Sequence, residues 1–139
     1  MFGKRLRKPI KKHFPTSSSS TKAIGEWAEQ LACDWLIERG LKLVEQNFRT
    51  RYGEIDLIMQ DGNCLVFVEV RYRKNSIYGS AEVSITAKKC QRLAATAEKY
   101  LLTKGFNNNT AIRFDALAIS PAKESDLHCT INWIKNILL

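Results

Sequence analysis

The stretch Gly53 to Arg73, GEIDLIMQDGNCLVFVEVRYR, constrains this chain most. Val, Ile, Leu and Phe dominate both halves, and Asp61-Gly62 lies between them. Asp-Gly between two apolar runs favours a tight β-hairpin, because a type I′ turn needs φ > 0 at both central residues. A turn centred there pairs Gln60 with Asn63, Ile58 with Leu65, Asp56 with Phe67, Glu54 with Glu69 and Tyr52 with Arg71. Side chains alternate along a strand, so Glu54, Asp56, Glu69 and Arg71 share one face. Ile55, Leu57, Met59, Cys64, Val66, Val68 and Val70 form the other. The acidic face also carries Ile58, Leu65 and Phe67. A hairpin apolar on both faces belongs in the middle of a sheet, covered on both sides.

Carboxylates are costly in such a place. In this register Asp56 and Glu69 are diagonal neighbours about 7–8 Å apart, within reach of each other's side chains. An unpaired buried charge costs several kcal/mol or shifts its pKa. Two arrangements relieve the cost. A divalent cation between the acids is one, since hard Mg²⁺ takes a few carboxylate oxygens and keeps several waters. The other is a wet strand end where Glu54 and Glu69 pair with Arg51, Arg71 or Arg73. Register matters here, because a one-residue bulge sends Glu69 to the face opposite Asp56.

The 139 residues suit one domain with a sizeable core. The net charge of +8 is unevenly placed. Lys4, Arg5, Arg7, Lys8, Lys11, Lys12 and Lys22 fall in the first 22 residues with no acid among them, and the remainder is nearly neutral. Charge, the run TSSSS and two prolines mark residues 1–20 as a disordered basic arm ahead of a single domain over 21–139. That arm reads as an electrostatic anchor for phosphate backbones, a solvated tail or a transit peptide. It has no apolar core of the secretory kind, and no run approaches transmembrane length. Cys33, Cys64, Cys90 and Cys129 lie far apart in apolar stretches with no CxxC. They read as buried free thiols in a reducing compartment, not as zinc ligands.

Thr21 to Arg39 has helical periodicity, with Ile24, Trp27, Ala28, Leu31, Ala32 and Trp35 on one face and Gly40 as the stop. Glu29 lies at the margin of that stripe, and Glu26 points to solvent. Leu41 to Arg49 is a strand ahead of the hairpin. Lys74 to Ser80 is a polar loop. Ser84 or Thr86 caps a second helix reaching Lys104, with Cys90, Leu93, Ala94, Ala97 and Leu101 as its apolar stripe. Ala111 to Ile119 is a strand, Pro121 to Asp126 a turn, and Leu127 to Trp133 a last edge strand. The helix after the third strand implies a right-handed crossover to the fourth. The expected fold is therefore α/β, a mixed central sheet with helices on both faces in a three-layer plan.

An αβββαβ core with Asp on its second strand and Glu-x-Lys on its third is the layout of the PD-(D/E)xK nuclease superfamily. More closely, GEIDLI, then VFVEVRYR, then a Lys-bearing helix, then RFD resemble the YraN-like family of small bacterial proteins. That family is described as predicted endonucleases related to archaeal Holliday junction resolvases. The resemblance spans roughly residues 22–120 and implies a restriction-endonuclease-like core. Carried over by position, it implies that Asp56, Glu69 and the helical Glu29 bind Mg²⁺ or Mn²⁺, with the Val70 carbonyl nearby. Arg71 takes the place of the motif lysine, and Lys89, with Lys88 as its neighbouring alternative, matches the lysine of the second helix. The implied partner is nucleic acid, DNA first, with no membrane; the implied setting is cytoplasmic and the implied assembly a homodimer.

Arg71 departs from the wider superfamily. Arginine stays charged and cannot act as a general base, although it can grip a phosphate with two N–H groups. This leaves three readings: a metal-dependent endonuclease or resolvase-like protein, a non-catalytic nucleic-acid binder on the same fold, and an interaction domain with a structural ion-pair cluster. Arg49, Arg51, Arg73 and Lys74 flank the hairpin as a phosphate track or as solvated charges. Asp115 in RFD reads as structural, pairing Arg113 or capping a strand end.

Overall fold

The computed structural model of the protein describes residues 20–73, 85–121 and 129–138. Their elements run α1 (Thr21–Glu38), β1 (Lys42–Thr50), β2 (Gly53–Asp61), β3 (Cys64–Tyr72), α2 (Ala87–Thr103), β4 (Ala111–Pro121) and β5 (Cys129–Ile134). The loop expected over Lys74 to Ser80 and the turn expected over Pro121 to Asp126 lie, apart from Pro121, outside the described residues. So does the basic arm over 1–20, except for Ser20. Ser20 belongs to the fold: its hydroxyl accepts the Ala23 N–H at 3.1 Å and caps α1.

The strands form one five-stranded sheet in chain order, β1 to β5. All neighbours are antiparallel except β3 and β4, which run parallel from Cys64 beside Ala111 to Tyr72 beside Ile119. A parallel pair needs a long crossover, and α2 supplies it. The fold is therefore the expected mixed, three-layer α/β arrangement, with β3 at the centre.

The two faces of the hairpin choose the two helices. Leu57, Met59, Val66 and Val68 pack with Ala28, Leu31, Ala32 and Leu36 of α1. Ile58, Leu65 and Phe67 pack with Leu93, Ala97 and Tyr100 of α2 on the other side. Ala94, expected on the inner stripe of α2, is exposed; Thr96 and Tyr100 are buried instead. The stripe turns that way because Tyr100 sits edge-on between Phe48 and Phe67, at 5.0 and 5.9 Å between ring centres. Thr96 can be buried because its hydroxyl donates to the Arg92 carbonyl at 2.7 Å.

The hairpin turn falls one residue later than Asp61-Gly62. Asp61 pairs with Cys64, so Gly62 and Asn63 are the central residues. Gly62 has φ of 59°, while Asn63 is not among the non-glycine residues with positive φ. That is the pattern of a type II′ turn, which needs Gly first, not of type I′. The shift moves every cross-strand partner by two, which leaves the assignment to faces intact. The ladder runs from Asp61↔Cys64 to Leu57↔Val68. One further step in this register sets Asp56 opposite Glu69, replacing the expected pairs of Asp56 with Phe67 and Glu54 with Glu69.

Asp115 has the structural role expected of it. It is fully buried and accepts from Arg113 Nε at 3.0 Å, Trp133 Nε1 at 2.9 Å and the Asn136 N–H at 3.0 Å. Arg113 then reaches Asp61 at 2.8 Å, which ties β4 to the hairpin end. Replacing Asp115 with Ala leaves the half-buried Arg113 with Asp61 alone and strands the Trp133 indole N–H and the Asn136 N–H, a cost of about 3 kcal/mol. Denaturant unfolding of Asp115→Ala should show a midpoint loss of that size with an unchanged slope.

Candidate functional site

Beyond Leu57 the backbone stops pairing β2 with β3, and a side chain takes over. The Val70 N–H, which a continued ladder would give to a carbonyl, donates to Asp56 Oδ2 at 2.8 Å. The alternation of β2 breaks at the same level. Ile55 was expected beside Leu57, but it packs with Ile58 and Phe67 on the α2 side. β1 is irregular there too: Asn47, between Gln46 opposite Leu57 and Phe48 opposite Ile55, has φ of 55°. A non-glycine residue in that region is uncommon, and Asn tolerates it best. Two adjacent strands thus lose their regular pleat around Asp56, and the side chain is drawn in toward β3.

Four acids gather around this gap. Glu69 on β3 is buried. Glu29, half-buried on α1, lies within hydrogen-bonding reach of Asp56. With its amide nitrogen turned toward both, Asn47 donates to Glu29 Oε1 at 2.9 Å and to Glu54 Oε2 at 3.0 Å. Glu26 is exposed, as expected. Burial and the Glu69 charge push the Asp56 carboxyl up to about 8, with Glu29 and Glu54 adding to the effect and the Val70 N–H opposing it. Burial also raises Glu29, helped by the Glu54 charge and opposed by its hydrogen bonds to Asp56 and Asn47.

Cations ring the acids without filling the gap. Lys89, in the first turn of α2, places its Nζ 3.2 Å from Glu69 Oε2. Thr86 caps that helix by accepting the Lys89 N–H at 3.1 Å, so the cap sets where the lysine emerges. Arg49 meets Glu54 at 3.3 Å. The ion-pair partners of Glu54 and Glu69 are therefore Arg49 and Lys89, not Arg51, Arg71 or Arg73. Arg71 is half-buried on β3 two residues beyond Glu69 and makes no ion pair with a described residue. Lys88 is exposed. Of the expected phosphate track, Lys74 lies outside the described residues, and Arg49, Arg51 and Arg73 are exposed.

Asp56 and Glu69 are the side chains that would hold a hard divalent ion here. Among the described residues no group of three or more His, Cys, Asp or Glu side chains is placed to hold a metal ion; Mg²⁺ can be held by one or two carboxylates and keep its waters. A carboxyl held near neutrality by desolvation and by its acidic neighbours is a donor set short of positive charge. Val70 joins through its N–H. The four cysteines are free thiols; Cys33 and Cys129 are buried, and burial pushes the Cys129 thiol up to about 11.

A family model described as "Uncharacterised protein family UPF0102" matches residues 28–119. The chain belongs to UPF0102. A UPF0102 protein of Nitrosococcus oceani is 47% identical over 112 residues, covering 81% of this chain and 88% of the relative. One from Vibrio vulnificus is 46% identical over 120 residues, 86% of this chain and 94% of its own length. One from Methylococcus capsulatus is 42% identical over 122 residues, 88% and 95% of the two chains. All the acids of the gap, with Lys89 and Arg71, fall inside the span that defines UPF0102 here. None of the described helices is long and apolar enough to cross a membrane.

Sequence reasoning placed Asp56, Glu69, Glu29 and Lys89, and the fold brings these four together. It missed Asn47, Arg92, Thr50, Tyr52 and Gly53. Asn47 carried a faint signal, an Asn inside a strand pattern. Gly53, at φ 156°, carried a plainer one. A Cβ there would meet Thr96 Oγ1 at 3.3 Å and Arg92 Cβ at 3.6 Å, so a side chain would press on the buried Thr96 where β2 starts beside α2.

The raised Asp56 carboxyl sets a pH dependence. The folded chain holds a proton that an ordinary aspartate releases near the usual carboxylate range. The resulting stabilisation is complete at low pH and is lost as pH rises toward about 8. In chelator, the melting temperature should fall between about pH 5 and pH 8. Asp56→Asn should flatten that fall. At the upper end it should melt roughly 4 °C or more above wild type, equivalent to about 1 kcal/mol for a chain of this size.

Proposed function

We propose that this chain is a divalent-cation-dependent nuclease, endonucleolytic or resolvase-like, that hydrolyses phosphodiester bonds of nucleic acid, DNA first. Asp56 and Glu69 hold Mg²⁺ or Mn²⁺, with Glu29 and the Val70 carbonyl completing the set. The observation that carries the reading is the place of Asp56 beside Glu69, Glu29 and Glu54, where desolvation first and the Glu69 charge second push its carboxyl up to about 8. Strongly perturbed carboxyls with named charge partners beside a cleft mark functional sites.

When bound, the cation supplies Lewis-acid polarisation of a phosphoryl oxygen and an acidified water. The chain's own groups do the rest. Lys89 Nζ stands 3.2 Å from Glu69 at the rim, where an ammonium can stabilise charge developing on phosphate or on the leaving oxygen. Arg71 stays cationic and offers a planar pair of donors to a phosphate, so it positions the strand and takes no proton. Asn47 orients Glu29 and Glu54. The activity belongs to a single domain over residues 21–139, working in the cytoplasm as a homodimer, with the basic arm over 1–20 as an added phosphate anchor.

A second reading keeps the fold and the nucleic acid but removes the chemistry. Arginine at position 71 favours it, since this residue cannot activate water.

Purified protein with Mg²⁺ or Mn²⁺ should cut branched, flapped or linear DNA. Asp56→Ala and Glu69→Ala should each lower the rate by at least about a hundredfold, the scale set by removing one transition-state electrostatic contact. Either ion should also raise the melting temperature of wild type but not of Asp56→Ala, as a ligand of the folded state alone must. Salt-sensitive binding with every DNA and RNA form left intact would select the second reading. Absence of both binding and a metal-induced shift would sink the nucleic-acid assignment.

A further inference from the structure

The turn between β1 and β2 borders the acidic gap and carries an aromatic side chain that the fold does not bury. Tyr52 is 45% exposed. It is a shared wall of two open clefts. One, of about 360 Å³, is lined by Tyr52, Arg51, Gly53, Arg92, the carboxylate Glu54 and Lys89, the ion-pair partner of Glu69. The other, of about 450 Å³, lies beyond it and includes Arg49, Arg51, Tyr52 and Lys99.

The turn is braced. The Thr50 hydroxyl accepts the Tyr52 N–H at 3.0 Å. Gly53 is backed against Thr96 and Arg92 of α2. The Arg51 guanidinium lies 5.3 Å from the Tyr52 ring centre and donates to its hydroxyl at 3.4 Å. Lys99 and Glu98 of α2 act on that hydroxyl with opposite sign. Of the acids around the clefts, Glu54 is held by Arg49 at 3.3 Å. An exposed aromatic ring flanked by arginines and a lysine is an arrangement by which proteins grip single strands: rings stack on bases while cations track phosphates.

We infer that Tyr52 is a stacking platform for an unpaired base of the strand entering the acidic gap, with Arg51, Arg92 and Lys99 on its backbone. The substrate class is therefore nucleic acid with an unpaired nucleotide beside the scissile phosphate, such as a single strand, a flap or a branch, and not a continuous duplex. This rests on the nuclease reading and narrows its substrate. A duplex buries its bases in the stack and offers Tyr52 no exposed π-face.

The test uses the full chain carrying Asp56→Asn, so that strands stay whole. The probe is a short single-stranded deoxyoligonucleotide containing 2-aminopurine, and the same strand in a blunt duplex. Tyr52→Ala should weaken single-strand binding by about tenfold or more, the scale of losing one base–aromatic stack, and abolish the 2-aminopurine quenching. Duplex binding should change by less than about twofold, and Tyr52→Phe should keep both signals. An unchanged melting temperature shows that the exposed substitution leaves the fold intact. Equal binding by Tyr52→Ala and its parent, or an equal loss on both DNA forms, overturns the platform. The nuclease reading then stands or falls separately on Asp56→Ala and Glu69→Ala cleavage. If the parent binds neither form, both inferences fall together.

Discussion

β2 and β3 are paired from their turn to Leu57 and Val68, and there the sheet gives up a backbone bond for a carboxylate. The exchange organises the neighbourhood. Val70 keeps its N–H satisfied, so the strands part without stranding a buried donor. Asp56 is drawn between them, which brings it to Glu69 on β3 and Glu29 on α1. The left-handed Asn47 on β1 and the Ile55 side chain turned toward α2 belong to the same local distortion. A regular ladder would have kept Asp56 perpendicular to the sheet, facing one helix only.

Two aspartates, Asp115 buried and Asp56 half-buried, show what this arrangement means. Asp115 meets a guanidinium, an indole N–H and a backbone N–H, so its charge is answered by donors. Asp56 meets one backbone N–H and three acids. Evolutionarily unconstrained packing would answer Asp56 as Asp115 is answered, because an unsatisfied buried charge costs several kcal/mol. The cation proposed for this site would answer the same deficit. The cations Lys89, Arg49, Arg51 and Arg92 stand at the rim, where they screen the cluster and suit an anionic chain approaching it.

The two helices divide the labour. α1 supplies Glu29 and covers the Leu57–Val68 face; α2 supplies Lys89 and covers the Phe67 face. The site therefore lies at the sheet end where both layers meet, and depends on the caps that set each helix start, Ser20 and Thr86. Gly53 sets the remaining distance, between the β1–β2 turn and α2.

Much of this was legible in residue order. Period-2 alternation in the hairpin, helical stripes in Thr21–Glu38 and Ala87–Thr103, and a helix between two strands are local patterns, and each maps to one element and one topology. A register shift of two preserves side-chain parity, so Leu57, Met59, Val66 and Val68 keep their expected face despite the misplaced turn, while Ile55 crosses to the α2 side. The tertiary structure decided what local pattern cannot encode. It chose a II′ turn by the conformations available to Gly62 and Asn63 together. It swapped Ala94 for Tyr100 through aromatic packing across the sheet. It put Lys89 and Arg49, not the nearer arginines in sequence, on the acids. Above all it broke the ladder at Asp56, because whether a carbonyl or a carboxylate takes the Val70 N–H depends on how three strands and a helix crowd one point, and that balance exists only once they are assembled.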